Sequence, residues 1–197
     1  MTKRVMIVGI PGVGKSTVIT NVFNLLSQEG IDAKIAEFGK IMFEQAKILS
    51  INNRDQLRKL SIEQQRSLQE MTANYINSLG NDVVIIDTHL FIRTELGYYP
   101  GIPSKLLSII NPSHLILITA KSEEIHKRRT DDNSRQRDLI SIDRISDDLK
   151  LSESMISSSS VISGCPFYII QNNTDEVEKA TDDICKVILS NDRRKKH

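Results

Sequence analysis

Five short stretches of the chain are dominated by apolar residues, and longer segments of mixed apolar and polar residues separate them. Three of the stretches are nearly continuous apolar runs, which is typical of parallel strands buried on both faces. The mixed segments have helical character, so the pattern predicts an α/β fold in which helices flank a five-stranded parallel sheet. The predicted strands are residues 5–9, 33–38, 83–87, 115–119 and 167–171.

The second of these strands differs from the others because apolar and polar residues alternate along it. Alternation is typical of a strand with one solvated face, so residues 33–38 are predicted to lie at an edge of the sheet. Gly30 comes just before this strand and fits the end of the preceding helix, where glycine readily takes the left-handed conformation.

A helical insertion is predicted at residues 41–79, between the second and third strands. Asn52-Asn53 interrupts it, and Ser61 with Gln64 predicts a capping box at the start of another helix. The insertion is longer than a simple crossover needs, so we expect it to hold a second substrate. Four residues at helical spacing predict its core-facing stripe: Leu68, Met71, Tyr75 and Leu79.

Two further segments have local signals. Residues 92–103 contain two glycines and two prolines and are predicted to form a loop. The serine run at residues 157–160 is flanked by apolar residues and predicts a helix or loop with small contacts, not a linker. The basic tail at residues 192–197 is predicted to be a frayed, solvated end.

Composition narrows the class of protein. At 197 residues the chain suits one domain, and its net charge of +1 gives no basic field that would favour nucleic acid as the main partner. No apolar run approaches the roughly 18 residues that a membrane span needs. The N-terminus leads directly into a strand, which leaves no room for a signal peptide and predicts a cytoplasmic protein. Cys165 and Cys185 are then expected to be buried, reduced side chains.

The clearest candidate for chemistry follows the first predicted strand, where residues 9–17 read G-I-P-G-V-G-K-S-T and fit G-x-x-x-x-G-K-[ST]. Glycines let successive backbone N–H groups converge on an anion, and the helix that begins near Lys15 adds the positive end of its dipole. Lys15 can reach the β- and γ-phosphates, and the Ser16 hydroxyl can ligate Mg²⁺. A glycine-rich turn without a ligand is the alternative. The strand before and the helix after favour a nucleoside triphosphate.

Asp87 ends the third predicted strand and is followed by Thr88 and His89. Open α/β sheets bind ligands at the carboxyl ends of their strands, so this carboxylate is predicted to face the loop and to hold Mg²⁺ or position the acceptor. The alternative role is a helix N-cap. His89 could contact a ligand or shape the pocket, and a packed loop histidine is the alternative.

Arginine side chains form the second constellation. A short polar segment contains Arg128, Arg135 and Arg137. It is suited to closing over phosphates, because one guanidinium group can donate two parallel hydrogen bonds to phosphate oxygens. Arg129, in the same segment, is predicted to be a surface residue. A solvated charged helix face is the alternative for all of them.

Three further arginines, Arg54, Arg58 and Arg93, could grip the phosphate of an acceptor. Arg54 and Arg58 are four residues apart and so share one helix face. Surface salt bridges are the alternative for each of the three.

In combination, these segments resemble the archaeal-type adenylate kinase family. The matching segments occur in the family's order and cover most of the chain up to about residue 138, after which the match is one of pattern. They are residues 9–17, 52–60, 87–93, 97–103 and 132–137.

The resemblance implies reversible transfer of a phosphoryl group from Mg·ATP to AMP, giving two ADP. It also implies a three-layer P-loop NTPase fold in one domain, with a core at residues 1–38, 80–120 and 139–190. An AMP-binding helical insertion at about 39–79 and a short lid at about 121–138 complete that domain. Similar members are homotrimeric and cytoplasmic, and nothing in the pattern suggests nucleic acid or a membrane as a partner.

Site residues follow from the same resemblance. Lys15 and the lid arginines Arg128, Arg135 and Arg137 surround the transferring phosphate, Asn172 cradles adenine, and Ser16 and Asp87 hold Mg²⁺. AMP is expected at Phe38, Gly39, Met42, Arg54, Arg58 and Arg93. The ATP-binding residues are Gly9, Ile10, Pro11, Gly12, Val13, Gly14, Lys15, Ser16 and Thr17.

Two positions depart from the family pattern, because Lys40 stands where many members carry Asp and Phe43 where bacterial-type enzymes carry an AMP-phosphate arginine. Two alternatives to this function also stay open. One is a kinase for another nucleoside monophosphate or small metabolite. The other is a nucleotide-dependent switch or RNA-linked ATPase, and the absence of an N-K-x-D motif counts against it.

Overall fold

Strands and helices alternate along most of the chain. The computed structural model describes residues 2–48, 51, 53, 60–94, 97–131 and 141–190. Its strands are β1 Lys3–Val8, β2 Ala33–Glu37, β3 Val83–Asp87, β4 Phe91–Thr94, β5 Gly97–Pro100, β6 His114–Thr119 and β7 Phe167–Gln171. Its helices are α1 Lys15–Gln28, α2 Phe38–Ile48, α3 Ile62–Ser78, α4 Ser104–Ile110, α5 Ser122–Asp131, α6 Ile142–Ser163 and α7 Val177–Ser190.

The main sheet has five parallel strands in the order β2-β3-β1-β6-β7. All five predicted strands are confirmed, and β2 lies at an edge as its alternating pattern predicted. Ile7 of β1 lies beside Asp87 of β3 on one side and Ile116 of β6 on the other. The loop after β1 therefore emerges at the middle of the sheet, where open α/β sheets bind ligands.

Two apolar clusters cover the two faces of this sheet. Alternate residues of β1 enter different clusters, Val5 and Ile7 on one face and Met6 and Val8 on the other, and all four are at most 1% exposed. Helices α1 and α7 contribute to the first cluster, whereas α3 and α4 contribute to the second. The three-layer α/β architecture is therefore confirmed.

A two-stranded hairpin, β4 with β5, stands where a loop was predicted. Its strands are antiparallel, with Phe91 opposite Pro100 and Thr94 opposite Gly97. The rings of Phe91 and Tyr98 meet edge to face with centroids 5.1 Å apart. The loop prediction was wrong because it treated Gly97 and Pro100 as residues that a strand excludes. That holds for the interior of a buried strand, whereas here they are the two ends of a short exposed one.

The insertion contains α2 and α3, and Oγ1 of Thr72 on α3 lies 2.9 Å from Oε1 of Gln45 on α2. The predicted capping box is confirmed, since Ser61 Oγ accepts from the Gln64 backbone N–H and Gln64 Oε1 accepts from that of Ser61.

The predicted core stripe of α3 was only partly right. Leu68 is buried, but Met71 and Tyr75 are 39% and 43% exposed. The buried face contains the polar residues Gln69 and Thr72, and the Thr72 hydroxyl is satisfied by the Leu68 carbonyl at 2.8 Å. Apolar spacing alone therefore placed the face wrongly.

The remaining predictions concern single positions. Gly30 has a φ of 73° directly after α1, which confirms its role at the end of the helix. The serine run lies within α6, and both cysteines are buried. Asn52 and the basic tail lie outside the described residues. Among the described helices, none has the length and apolar character needed to cross a membrane.

Candidate functional site

The loop between β1 and α1 has the geometry of a phosphate-binding loop. Gly12 and Gly14 have φ values of 93° and 83°, a region that favours glycine. A Cβ on Gly14 would lie 2.4 Å from Nδ2 of Asn172, so no side chain fits there without movement. Because α1 begins at Lys15, its first backbone N–H groups face the loop. This end of the helix can bind an anion.

Lys15 and Asp87 form an ion pair at the centre of the site, with side chains 10% and 19% exposed. Burial lowers the pKa of Lys15 to about 8, and the nearby Glu37 carboxylate opposes that shift. The alternative role for Asp87, a helix N-cap, is wrong, because the residues described after it lead into β4.

A magnesium ion fits the donor set at this point. Ser16 is exposed in the first turn of α1 and offers a hydroxyl, and Asp87 offers a carboxylate. Mg²⁺ commonly binds one or two protein oxygens and completes its shell with phosphates and water, so a larger cage is not needed. Among the described residues there is no group of three or more His, Cys, Asp or Glu side chains that could hold a metal.

Asn172 ties the end of β7 to the phosphate loop. Its side-chain amide donates to the Val13 carbonyl at 2.8 Å, and its backbone carbonyl accepts from Nη1 of Arg128 at 3.0 Å. Arg128 also contacts Glu124, which in turn accepts two hydrogen bonds from Thr174. Arg128 is thereby held next to Gly14, where a Cβ would lie 3.8 Å from Nη1 of the arginine.

Arg129 is buried, so the prediction that it is a surface residue was wrong. It is 7% exposed, and its Nε donates to the Pro11 carbonyl at 2.8 Å. The position of a Cβ on Gly12 would be 3.1 Å from Cγ of Arg129. Helix α5 therefore turns this arginine toward the phosphate loop, which the charge pattern of the segment does not reveal.

A cavity of about 290 Å³ lies beside the same loop. His89 lines it, and Nδ1 of His89 is 3.2 Å from the Gly9 carbonyl. Surrounding protein atoms and the Lys15 charge lower the pKa of His89, so its imidazole is neutral at physiological pH. The full lining is Gly9, Ile10, Pro11, His89, Leu90, Phe91, Ile92, Arg93, Arg129, Asp148 and Ser152.

Arg93 on β4 forms part of the cavity wall through a cluster with Tyr98 and Asp148. Its Nη2 donates to Asp148 Oδ1 at 2.5 Å and to the Tyr98 hydroxyl at 2.9 Å. The hydrogen bond to Asp148 raises the pKa of Arg93, so the guanidinium stays charged. The alternative prediction for Arg93 was a surface salt bridge. Arg93 does form a salt bridge, with Asp148, but this pair lies in the cavity wall and not on the open surface.

Several known proteins are similar in sequence along nearly the whole chain. The family model described as AAA domain matches residues 8–146. An adenylate kinase of Methanocaldococcus jannaschii is 37% identical over 188 residues, which cover 94% of this chain and 98% of that protein. One from Thermoplasma acidophilum is 40% identical over 187 residues, with 94% and 98% covered. The chain belongs to the adenylate kinase family. The predicted archaeal type, phosphotransferase activity and adenylate kinase function are thereby confirmed.

Solved structures extend the likeness of the fold beyond the adenylate kinase family. Shikimate kinases from Bacteroides thetaiotaomicron and Acinetobacter baumannii have TM-scores of 0.60 and 0.61 at 11% and 16% identity. The match covers 94% and 97% of this chain and 98% and 95% of those chains. At this identity the likeness shows a shared kinase fold and nothing about the substrate.

The adenylate kinase resemblance also assigned residues that do not line the cavity beside the phosphate loop. Phe38 is buried in the apolar cluster that contains Met6 and Leu90, whereas Gly39 is exposed in the first turn of α2 and Met42 is partly buried in the next. Four predicted arginines lie outside the described residues: Arg54, Arg58, Arg135 and Arg137.

Sequence reasoning missed Tyr98 and Asp148 and misplaced Arg129. Tyr98 lies directly opposite Arg93 in the hairpin, so a hairpin prediction would have paired them. Asp148 is 55 positions from Arg93 along the chain, and no local pattern brings the two together.

Proposed function

We propose that this protein catalyses the reversible, Mg²⁺-dependent transfer of the terminal phosphoryl group of ATP to AMP, giving two ADP. The observation that best supports this reaction is that the phosphate loop forms part of the wall of the cavity. Gly9, Ile10 and Pro11 of the phosphate loop also line the cavity that holds Arg93 and Arg129. A donor phosphate on the loop and an acceptor phosphate in the cavity would therefore be neighbours.

On the donor side, the loop N–H groups, the start of α1 and Lys15 would bind the β- and γ-phosphates. Lys15 is paired with Asp87 in the structure, so a bound triphosphate would replace the carboxylate as its partner. Ser16 and Asp87 would then hold Mg²⁺, which supplies positive charge at the phosphate oxygens. Asn172 would lie beside the nucleotide because it contacts the loop at Val13.

On the acceptor side, the guanidinium groups of Arg93 and Arg129 would attract the AMP phosphate. An AMP phosphate is already ionised, so the transfer needs alignment and charge neutralisation but no strong general base. The neutral His89 fits that requirement. Arg128, Arg135 and Arg137 would close over the transferring group, while Phe38, Gly39, Met42, Arg54 and Arg58 would bind the rest of AMP.

The domain divisions given by the resemblance remain part of the proposal: a core, an AMP-binding insertion at about 39–79 and a lid at about 121–138. A small separate apolar cluster of Ala46, Ile51 and Leu68 supports treating the insertion as its own unit. We also propose a cytoplasmic homotrimer without nucleic-acid or membrane partners, and sedimentation at several protein concentrations tests the trimer.

A coupled assay with Mg·ATP tests the reaction by offering AMP, CMP, UMP, GMP and shikimate as acceptors. We expect the highest kcat/KM with AMP and no turnover when Mg²⁺ is removed by a chelator. A higher kcat/KM with any other acceptor would replace AMP in the proposal, and activity that survives chelation would remove the metal from it.

A further inference from the structure

The Asp148 carboxylate is buried in the wall of the cavity. It lies on α6, is 5% exposed, and its Oδ1 accepts from Nη2 of Arg93 at 2.5 Å and from the Tyr98 hydroxyl at 3.1 Å. Burying a carboxylate has a substantial desolvation cost that a single well-placed cation only partly offsets. An ion pair at this position therefore calls for a reason beyond holding a hairpin to a helix.

Arg93 is held by one nitrogen and has a donor to spare. Both hydrogens of Nη2 are used, on Asp148 and on Tyr98. Its Nη1 makes no hydrogen bond to any part of the chain that the structure describes, whereas Nε also makes none but is buried out of reach of a ligand. The Tyr98 ring lies 5.2 Å from the guanidinium carbon and restricts its tilt. An arginine fixed in this way on a cavity wall is oriented to donate to a ligand.

We infer that Asp148 is a positioning residue for the acceptor: through Nη2 it fixes the guanidinium of Arg93 in the orientation that binds the acceptor's phosphate. This inference rests on the proposed function, because it takes the cavity to be the acceptor side. Tyr98 supports the same orientation from the opposite strand of the hairpin.

The charges in the cavity give this role a distinctive signature. With Arg93 present, Asp148 helps by orienting a cation. With Arg93 removed, the same buried carboxylate keeps, among the described residues, only the Tyr98 hydroxyl as a partner, has no cation beside it, and repels an incoming phosphate. The effect of neutralising Asp148 must therefore depend on residue 93, which a merely structural contact between α6 and the hairpin would not require.

A double-mutant cycle tests this dependence by measuring KM for AMP and for ATP in Asp148→Asn, Arg93→Gln and the double variant. We expect Asp148→Asn alone to raise the KM for AMP about tenfold, as for the loss of one charge-assisted hydrogen bond, and to leave the KM for ATP nearly unchanged. In the Arg93→Gln background the same substitution should leave the KM for AMP unchanged or lower it. Equal increases in both backgrounds would overturn the inference.

Asp147→Asn is the matched control, because Asp147 is the exposed neighbour on the same helix and its substitution removes the same charge. It should leave both KM values unchanged, and an increase equal to that of Asp148→Asn would overturn the inference. If Asp148→Asn does not fold, Tyr98→Phe carries the test. It keeps the ring, removes the hydroxyl, and should raise the KM for AMP alone, whereas an unchanged KM would count against the inference.

The outcomes also separate this inference from the proposed function. If AMP is the best acceptor of the unaltered protein and Asp148→Asn leaves its KM unchanged, the inference fails and the proposed function stands. If another anionic acceptor is best, the proposed function fails, and the same cycle with that acceptor still tests Asp148.

Discussion

The donor and acceptor sides of the candidate site are built in opposite ways. Most of the donor side comes from nine consecutive residues, 9–17, which run from the end of the central strand β1 into the start of α1, and Asp87 and Asn172 are added from elsewhere. Most of the acceptor side comes from the segment after β3, from β4, and from α5 and α6, which meet only in the folded chain. A site that is local in sequence depends on backbone geometry, whereas a dispersed one depends on long-range side-chain contacts.

The largest expected effect breaks the donor side alone. Lys15→Ala removes the charge that would lie against the transferring phosphate, and we expect kcat to fall by about 10²–10³-fold or more with an unchanged far-UV circular dichroism spectrum. Lys186→Ala, on the exposed face of α7, is the control and should retain full activity. Near-normal kcat in Lys15→Ala would remove the loop from the mechanism.

A smaller effect is expected from a change that reaches only the acceptor side. A Cβ on Gly101 would lie 2.1 Å from the His89 carbonyl oxygen, so Gly101→Ala must displace the backbone between β3 and the hairpin. We expect a loss of about 1–3 kcal/mol in the free energy of unfolding and a larger increase in the KM for AMP than in the KM for ATP, relative to the unaltered protein.

Gly80→Ala is the matched control for that substitution, because nothing lies within 4 Å of the Cβ position at Gly80. Urea unfolding and steady-state kinetics on both variants make the measurement. Equal increases in the KM for AMP and the KM for ATP in Gly101→Ala would show that a change on the acceptor side also disturbs the donor side.

The smallest expected effect is on the pH dependence of stability, and it involves neither the donor side nor the acceptor side. His114 is buried at the start of β6, and burial together with the Lys3 charge lowers its pKa from the ordinary value of 6.5. Below pH 6.5 the unfolded chain therefore takes up a proton that the folded chain resists, and stability is lost as pH falls through the folded-state pKa. Urea unfolding at pH 7.5 and 5.0 should show a larger loss in the unaltered protein than in His114→Gln, and equal losses would contradict this assignment.

The same contrast explains which features were predictable. The sheet and the phosphate loop could be predicted because apolar runs and an eight-position motif each consist of residues that are consecutive in the sequence. The hairpin could not, since its short exposed strands contain Gly97 and Pro100 and have no buried apolar run.

Burial of polar residues was also outside the reach of local patterns. Arg129 is buried because the Pro11 carbonyl, 118 positions away, accepts its Nε hydrogen bond. Thr72 is buried because the Leu68 carbonyl accepts its hydroxyl hydrogen at 2.8 Å, and the side chain of Gln45 lies beside the same hydroxyl. In both cases a hydrogen-bond partner that only the fold brings close allows burial, whereas the polarity of the residue alone predicts exposure.

The central position of β1 has a consequence for how the chain folds during synthesis. β1 is made first, but its neighbours are β3, which ends at Asp87, and β6, which ends at Thr119. At ribosomal rates the wait for Thr119 lasts roughly 6–24 s. Throughout that time the apolar strand β1, which the phosphate loop follows, can pair with β3 at most, because β6 has not yet been made. The emerging chain is therefore most exposed to aggregation before β6 leaves the ribosome, and a chaperone that acts on it would act in this interval.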